Sequence, residues 1–168
     1  MTVFEATGVG VRYGALRAVQ DVDISLAPGS VHGVIGPNGA GKSTFIDALS
    51  GRRKLTTGTV RLDGTDITRR SARWRRHRGI SRSFQQTSIF SSMTVGRQLE
   101  MVAAKHGERD LESIVIRLGL EPVLDRVSAE IAYGVQRSVD LALAMIGRPR
   151  VLLLDEPCAG LVADESVQ

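Results

Sequence analysis

Nine consecutive residues, Gly36-Pro37-Asn38-Gly39-Ala40-Gly41-Lys42-Ser43-Thr44, bring glycines, an ammonium and two hydroxyls into one short run. The pattern Gly-x-x-x-x-Gly-Lys-Ser is suited to gripping a triphosphate. Glycine lets backbone N–H groups turn inward around phosphate oxygens with no Cβ in the way. Lys42 can reach the β- and γ-phosphates, and the Ser43 hydroxyl can ligate Mg²⁺. The same run could be a Gly-rich turn that binds nothing, but the Lys-Ser pair and its context argue for the phosphate loop. Such a loop must open a helix, so that the positive helix end faces the anion. The spacing of Phe45, Ile46 and Leu49 predicts that helix, with Gly51 as its stop. The mostly apolar run from Ser30 to Ile35 predicts a strand leading in.

A second constellation lies about a hundred residues later, in Val151-Leu152-Leu153-Leu154-Asp155-Glu156-Pro157. Four apolar residues in a row fit a strand buried on both faces of a parallel sheet. The carboxyl end of such a strand is where an α/β sheet places its ligand. Two adjacent acids there are costly unless a cation or a water engages them. Asp155 is the candidate holder of Mg²⁺, directly or through water. Glu156 is then left to orient the attacking water and to take its proton. Without the phosphate loop, the pair would read equally well as a helix N-cap.

These residues must be positioned by the rest of a 168-residue chain, long enough for one good core. No apolar run approaches the roughly 20 residues that cross a bilayer, and no signal peptide is expected. A lone Cys158 admits no internal disulfide and suits a reducing compartment. Net charge is +4, and the excess is local. Residues 69–78 hold six arginines and no acid; the remaining 16 basic and 18 acidic residues leave −2. That segment admits three readings: a solvated face, a membrane-proximal or partner surface, or a nucleic-acid patch. Trp74 alone is not the aromatic interleaving of a stacking platform.

The first thirty residues predict β structure, from alternating Val9, Val11, Tyr13 and then Val19, Val22, Ile24, with a turn at Pro28-Gly29. Gly58–Ile67 predicts a hairpin around Asp63-Gly64. Gly79–Phe84 predicts a strand. Helices are predicted from a Thr94 cap to Gly107, from Leu111 to Gly119, and over about 135–146.

Together the motifs resemble an ATP-binding-cassette ATPase domain, over essentially the whole chain. Further residues carry the resemblance: Tyr13, an aromatic in the first β segment, and Gln85 after Ser83-Phe84. Residues 78–85, Met93-Thr94-Val95 and Ile131-Ala132-Tyr133-Gly134-Val135-Gln136-Arg137 resemble the ATPases of branched-chain amino-acid importers in particular. The resemblance implies that Tyr13 stacks adenine, that Gln85 senses Mg²⁺, the water and the membrane partner, and that Tyr133 and Gly134 belong to a signature segment. In the family that segment closes over the γ-phosphate bound by another protomer. Ala132 stands where a signature serine is usual, Val135 where a polar residue is common, and Val162 where related chains carry Asp or Asn.

The implied fold is α/β, a P-loop NTPase (RecA-like) core with an N-terminal antiparallel β subdomain and a small helical subdomain. The expected division is 1–30 and 55–68 for the β subdomain, 31–54, 69–91 and 139–168 for the core, and 92–138 for the helical and signature subdomain. The family's C-terminal strands and switch histidine are expected to be absent, since His32, His77 and His106 all precede the second motif. The implied ligands are ATP and Mg²⁺. Lys42, Gln85 and Glu156 are the candidate catalytic residues. Tyr13, Gly36, Asn38, Gly39, Ala40, Gly41, Lys42, Ser43, Thr44, Tyr133 and Gly134 are the candidate nucleotide contacts, and Ser43, Gln85 and Asp155 the candidate metal ligands. The implied protein is a transport ATPase, cytoplasmic and peripheral on the inner face of the membrane. Its implied partners are permease subunits, a second copy or a sibling ATPase, and indirectly a solute-binding protein, with no nucleic acid. The alternatives are a nucleotide-binding fragment with little or no hydrolysis, and a cassette ATPase acting on nucleic acid. A GTPase would want an Asn-Lys-x-Asp run, which is absent.

Overall fold

A computed structural model describes residues 2–83 and 88–156. The chain divides into two compact units, residues 1–80 and 81–168.

The first unit is built on an antiparallel sheet of order β2-β1-β3-β4. Its strands are β1 (Phe4–Tyr13), β2 (Leu16–Leu26), β3 (Thr57–Leu62) and β4 (Thr65–Asp66). Alternation turns Phe4 and Ala6 inward, and a break in register between Ala6 and Val9 shifts the phase so that Val9 and Val11 follow; Val60 and Leu62 of β3 are buried beside them. The β3–β4 hairpin turns at Asp63 (φ 49°) and Gly64 (φ 75°). Two successive positive φ values are what a two-residue turn needs to match the strand twist. Helix α1 (Lys42–Ser50) packs against β1 and β2 through Phe45, Ile46, Ala48 and Leu49. Gly51 (φ 80°) ends it in the left-handed conformation, as its sequence position predicts.

One predicted strand does not form. Residues 30–37 have no regular structure, and Val31 and Ile35 are 98% and 96% exposed. An apolar run becomes a strand only where another strand shares its ladder of hydrogen bonds. The sheet of this unit consists of β1–β4, and no described strand pairs with residues 30–35.

The basic segment folds as α2 (Ala72–His77), capped by the Ser71 hydroxyl, which accepts from Trp74 N at 3.3 Å. It is not simply a solvated face. Arg75 is buried, and Arg70 and Arg78 each lie 5.1 Å from the Trp74 ring centroid.

The second unit packs α3 (Val95–His106), α4 (Leu111–Arg117) and α5 (Tyr133–Met145) around one apolar core. Val95, Leu99, Val115, Leu120, Val139 and Ile146 are among its buried members. Thr94 caps α3, its hydroxyl accepting from Arg97 N, and Gly107 ends it, both at their predicted positions. Helix α5 begins two residues earlier than predicted. Gln136 N donates to Ala132 O at 3.0 Å, so Tyr133 and Gly134 lie in its first turn and not in a turn before it. β5 (Ile80–Arg82) starts at the boundary of the units and lies beside β6 (Val151–Leu153). Ser83 N extends this pairing with a 3.0 Å bond to Leu153 O. No described helix is long and apolar enough to cross a membrane.

Candidate nucleotide site

In the first unit, the run 36–44 forms a loop that opens α1. Ala40 N donates to Pro37 O at 3.2 Å, and Phe45 N to Gly41 O at 2.8 Å, starting the helix. Gly41 is the N-cap, at φ 87°. Only glycine fits there, for a second reason: a Cβ would run into the carbonyl oxygen of Ala18 on β2. The loop therefore sits tightly on the sheet. No side chain caps the first turn of α1, and no acid lies in it. The positive end of the helix is thus met neither by a capping side chain at the Gly41 N-cap nor by an acid of its own first turn, the arrangement an anion wants. Lys42 Nζ folds back over the loop and donates to Gly36 O at 2.7 Å and Pro37 O at 2.9 Å. Asn38, Gly39 and Ala40 are exposed at the loop surface; Ser43 and Thr44 are half-buried on the first turn. Tyr13, 40% exposed, closes β1 and pairs with Leu16 across the hairpin end.

In the second unit, Asp155 follows β6 and is 3% exposed. Its Oδ2 accepts from Arg82 Nη2 at 3.1 Å, an ion pair with both side chains nearly out of water. Such a pair persists only when geometry repays desolvation. Glu156 is exposed and adopts φ 49°, the left-handed region that is costly for a residue with a Cβ. Buried Arg137 of α5 donates from Nη2 to the Glu156 carbonyl at 2.7 Å. Helix α5 is thereby tied to the backbone of the Asp155-Glu156 pair. Tyr133 is 48% exposed at the start of α5, where again no side chain caps the helix and no acid lies in the first turn.

Gln85, like Val162, lies outside the described residues. The segment that follows Gln85 is held by side chains that sequence reasoning missed. Ser88 N donates to Asp140 Oδ1 at 3.1 Å, and Phe90 N to Gln98 Oε1 at 3.1 Å. Gln98 is completely buried and also donates to Ser128 Oγ at 2.5 Å. A signal existed for Gln98, a polar residue between the core positions Val95 and Leu99. Arg82 lies in the strand predicted over Gly79–Phe84, and its acid partner stands 73 residues away. For Arg137 and Asp140 nothing local in the sequence pointed to their partners.

Comparison with known proteins agrees with these features. The ABC transporter family profile matches residues 19–159. The chain is 32% identical to the high-affinity branched-chain amino acid transport ATP-binding protein BraF of Pseudomonas aeruginosa, over 98% of this chain and 72% of the relative. LivG of Escherichia coli K12, which carries the same description, gives the same figures. The ribose import ATP-binding protein RbsA 1 of Streptomyces coelicolor is 34% identical over 94% of this chain and 33% of its own length. Among solved structures, a nucleotide-free ATP-binding cassette from an ABC transporter superposes with a TM-score of 0.84 at 28% identity, covering 98% of this chain and 72% of that one. A cassette in its ADP conformation gives 0.84 at 29%, covering 96% and 71%. The fold is the α/β fold of these cassettes, and the chain belongs to the ABC transporter family as an ATP-binding, ATPase domain.

Proposed function

We propose that the chain is the ATP-hydrolysing subunit of an importer, with branched-chain amino acids or similar small polar solutes as cargo. The observation that carries the reading is the phosphate loop seated on β2 and opening an uncapped, acid-free α1. Importer relatives support the direction of transport, and BraF and LivG favour the amino-acid cargo over the sugar of RbsA 1. Under this reading residues 1–30 and 55–68 are the antiparallel β subdomain. Residues 92–138 are the helical and signature subdomain, and 31–54, 69–91 and 139–168 the phosphate-loop core. The partners are permease subunits, a second copy or a sibling ATPase, and indirectly a solute-binding protein. The place of work is the cytoplasmic face of the membrane.

Phosphoryl transfer to water asks a protein mainly to position groups and neutralise charge. Backbone amides of Gly39, Ala40, Gly41, Lys42, Ser43 and Thr44 surround the phosphates, with Gly36 and Asn38 shaping the loop. Lys42 exchanges its bonds to Gly36 and Pro37 carbonyls for phosphate oxygens. Tyr13 stacks the adenine. Glu156 orients the water and takes its proton, while Gln85 relays the state of the site to the permease. Tyr133 and Gly134 offer the N-terminus of α5 to the nucleotide of the other protomer. The donor set fits Mg²⁺: the Ser43 hydroxyl, the Gln85 amide oxygen and the Asp155 carboxylate are hard oxygen ligands, few in number, as this ion prefers beside phosphates and water. Bound there, Mg²⁺ would neutralise charge on the transferred group. Arg82 holds the Asp155 carboxylate through its Oδ2.

Two variants test the assignment. Lys42→Ala is expected to weaken Mg-ATP binding about tenfold to a hundredfold, the range of one charge-assisted bond. Glu156→Gln is expected to keep ATP affinity and lower turnover by about 10²–10⁴. Calorimetry and a phosphate-release assay read the two. Unchanged affinity in the first variant would count against the loop, and unchanged turnover in the second would remove Glu156 from its role.

A further inference from the structure

One face of the Tyr13 ring is already taken. The Arg53 guanidinium carbon lies 4.7 Å from the ring centroid. Arg53 sits in the connection between α1 and β3, and that connection is stitched to β1. Thr56 N donates to Gly10 O at 2.8 Å, and Arg12 N donates to Thr56 Oγ1 at 3.0 Å. These bonds set the height of the connection against the strand that ends in Tyr13. They deliver Arg53 to the ring by backbone geometry, not by a chance rotamer alone. Tyr13 nevertheless keeps 40% of its surface exposed.

We propose that Arg53 is a positioning residue for the nucleotide base: its guanidinium holds the Tyr13 ring by one face and leaves the other as a platform for a purine. The proposal rests on the assignment of Tyr13 to adenine made above, and adds a residue that acts on the base and not on the phosphates. A tyrosine at a hairpin end, free of neighbours, would lose rotamer freedom on stacking, and that ordering would weaken binding. A cation over its face supplies part of the ordering in advance. Arginine suits the position because its flat guanidinium stacks while staying in water. Its charge also attracts any polyphosphate over a distance, but that attraction does not depend on a base.

The test compares Mg-ATP with magnesium tripolyphosphate, which carries the phosphates alone. Titration calorimetry at one ionic strength would be run on the wild-type chain, Arg53→Gln, Tyr13→Leu and the double variant. Arg53→Gln is expected to weaken ATP about two- to fivefold, the worth of an exposed cation–π contact. Tripolyphosphate affinity is expected to stay unchanged, and the loss to vanish in the Tyr13→Leu background. Equal weakening of both ligands would make Arg53 a long-range charge only and overturn the proposal. So would an unchanged ATP affinity, or a loss that persists without Tyr13. If wild-type ATP binds no tighter than tripolyphosphate, the base platform fails while the phosphate loop stands. If neither ligand binds, the phosphate-loop reading itself falls.

Discussion

A carboxylate that accepts three backbone N–H bonds is held in its charged form by all of them. Glu108, just past α3, takes Asp110 N and Arg109 N on Oε1 and Gly147 N on Oε2, each at 3.0 Å. Arg148 adds a 3.5 Å ion pair. The Asp110 bond is the largest cause of a carboxyl held below its ordinary value, and desolvation opposes it only in part. A lowered folded-state value means that stability is fully present above the ordinary Glu range and is lost as pH falls through the lower folded value. The urea midpoint of the wild-type chain is therefore expected to drop more than that of Glu108→Gln between pH ~5 and pH ~3. Parallel curves for the two proteins would show that Glu108 is only a surface acid. The same logic of an anion met by fixed dipoles underlies the proposed phosphate loop, with the anion supplied by the ligand.

Among the elements, α1 is the one on which most depends, because its first turn carries the proposed phosphate site and its last turn is buried. The last turn leaves carbonyls without helical partners. Arg75 of α2 supplies them: Nη1 donates to Ala48 O at 3.1 Å and Leu49 O at 2.7 Å. Nη2 donates to Ile67 O and Thr68 O, each at 2.9 Å, tying the end of the β3–β4 hairpin to the same point. Burial pushes the Arg75 guanidinium down to about 10, with Asp66 opposing, so it stays charged at neutral pH. Arg75→Leu would take this donor from the Leu49 and Thr68 carbonyls, while Ala48 O keeps Gly51 N and Ile67 O keeps Arg70 N; an unfolding free energy lower by roughly 3 kcal/mol is expected. Arg73→Ala, on the exposed side of the same helix, should change it by less than about 0.5 kcal/mol. Urea titration of both variants checks the contrast, and equal effects would deny Arg75 its anchoring role. The basic segment thus has a structural use that its composition did not announce.

For the molecule taken as a whole, the relevant fact is that it spans 72% of the length of relatives such as BraF and LivG. Residues 30–35 feed the phosphate loop yet lie outside any described strand, with Val31 and Ile35 almost fully exposed. Electrostatic catalysis depends on donors held still before the reaction begins. A loop fixed at Gly41 but entered by an unpaired segment is held from one side.

Local pattern sufficed for much of this protein. Glycine, lysine and serine at fixed offsets announce a phosphate loop because the chemistry of the loop is carried by its own backbone. The Asp63-Gly64 hairpin, the Thr94 cap and the Gly51 and Gly107 stops were readable for the same reason, since each is satisfied within a few residues. What tertiary structure alone decided are contacts made across long stretches of chain: Arg82 on Asp155, Arg137 on the Glu156 carbonyl, Arg75 on the end of α1, Arg53 on Tyr13. Arginine has five donors on a long stem, and its sequence neighbours do not say which carbonyl or ring it will reach. The predicted strand at residues 30–35 failed on the same principle. An apolar run carries the propensity to be a strand, but a ladder exists only where another strand comes alongside to share it.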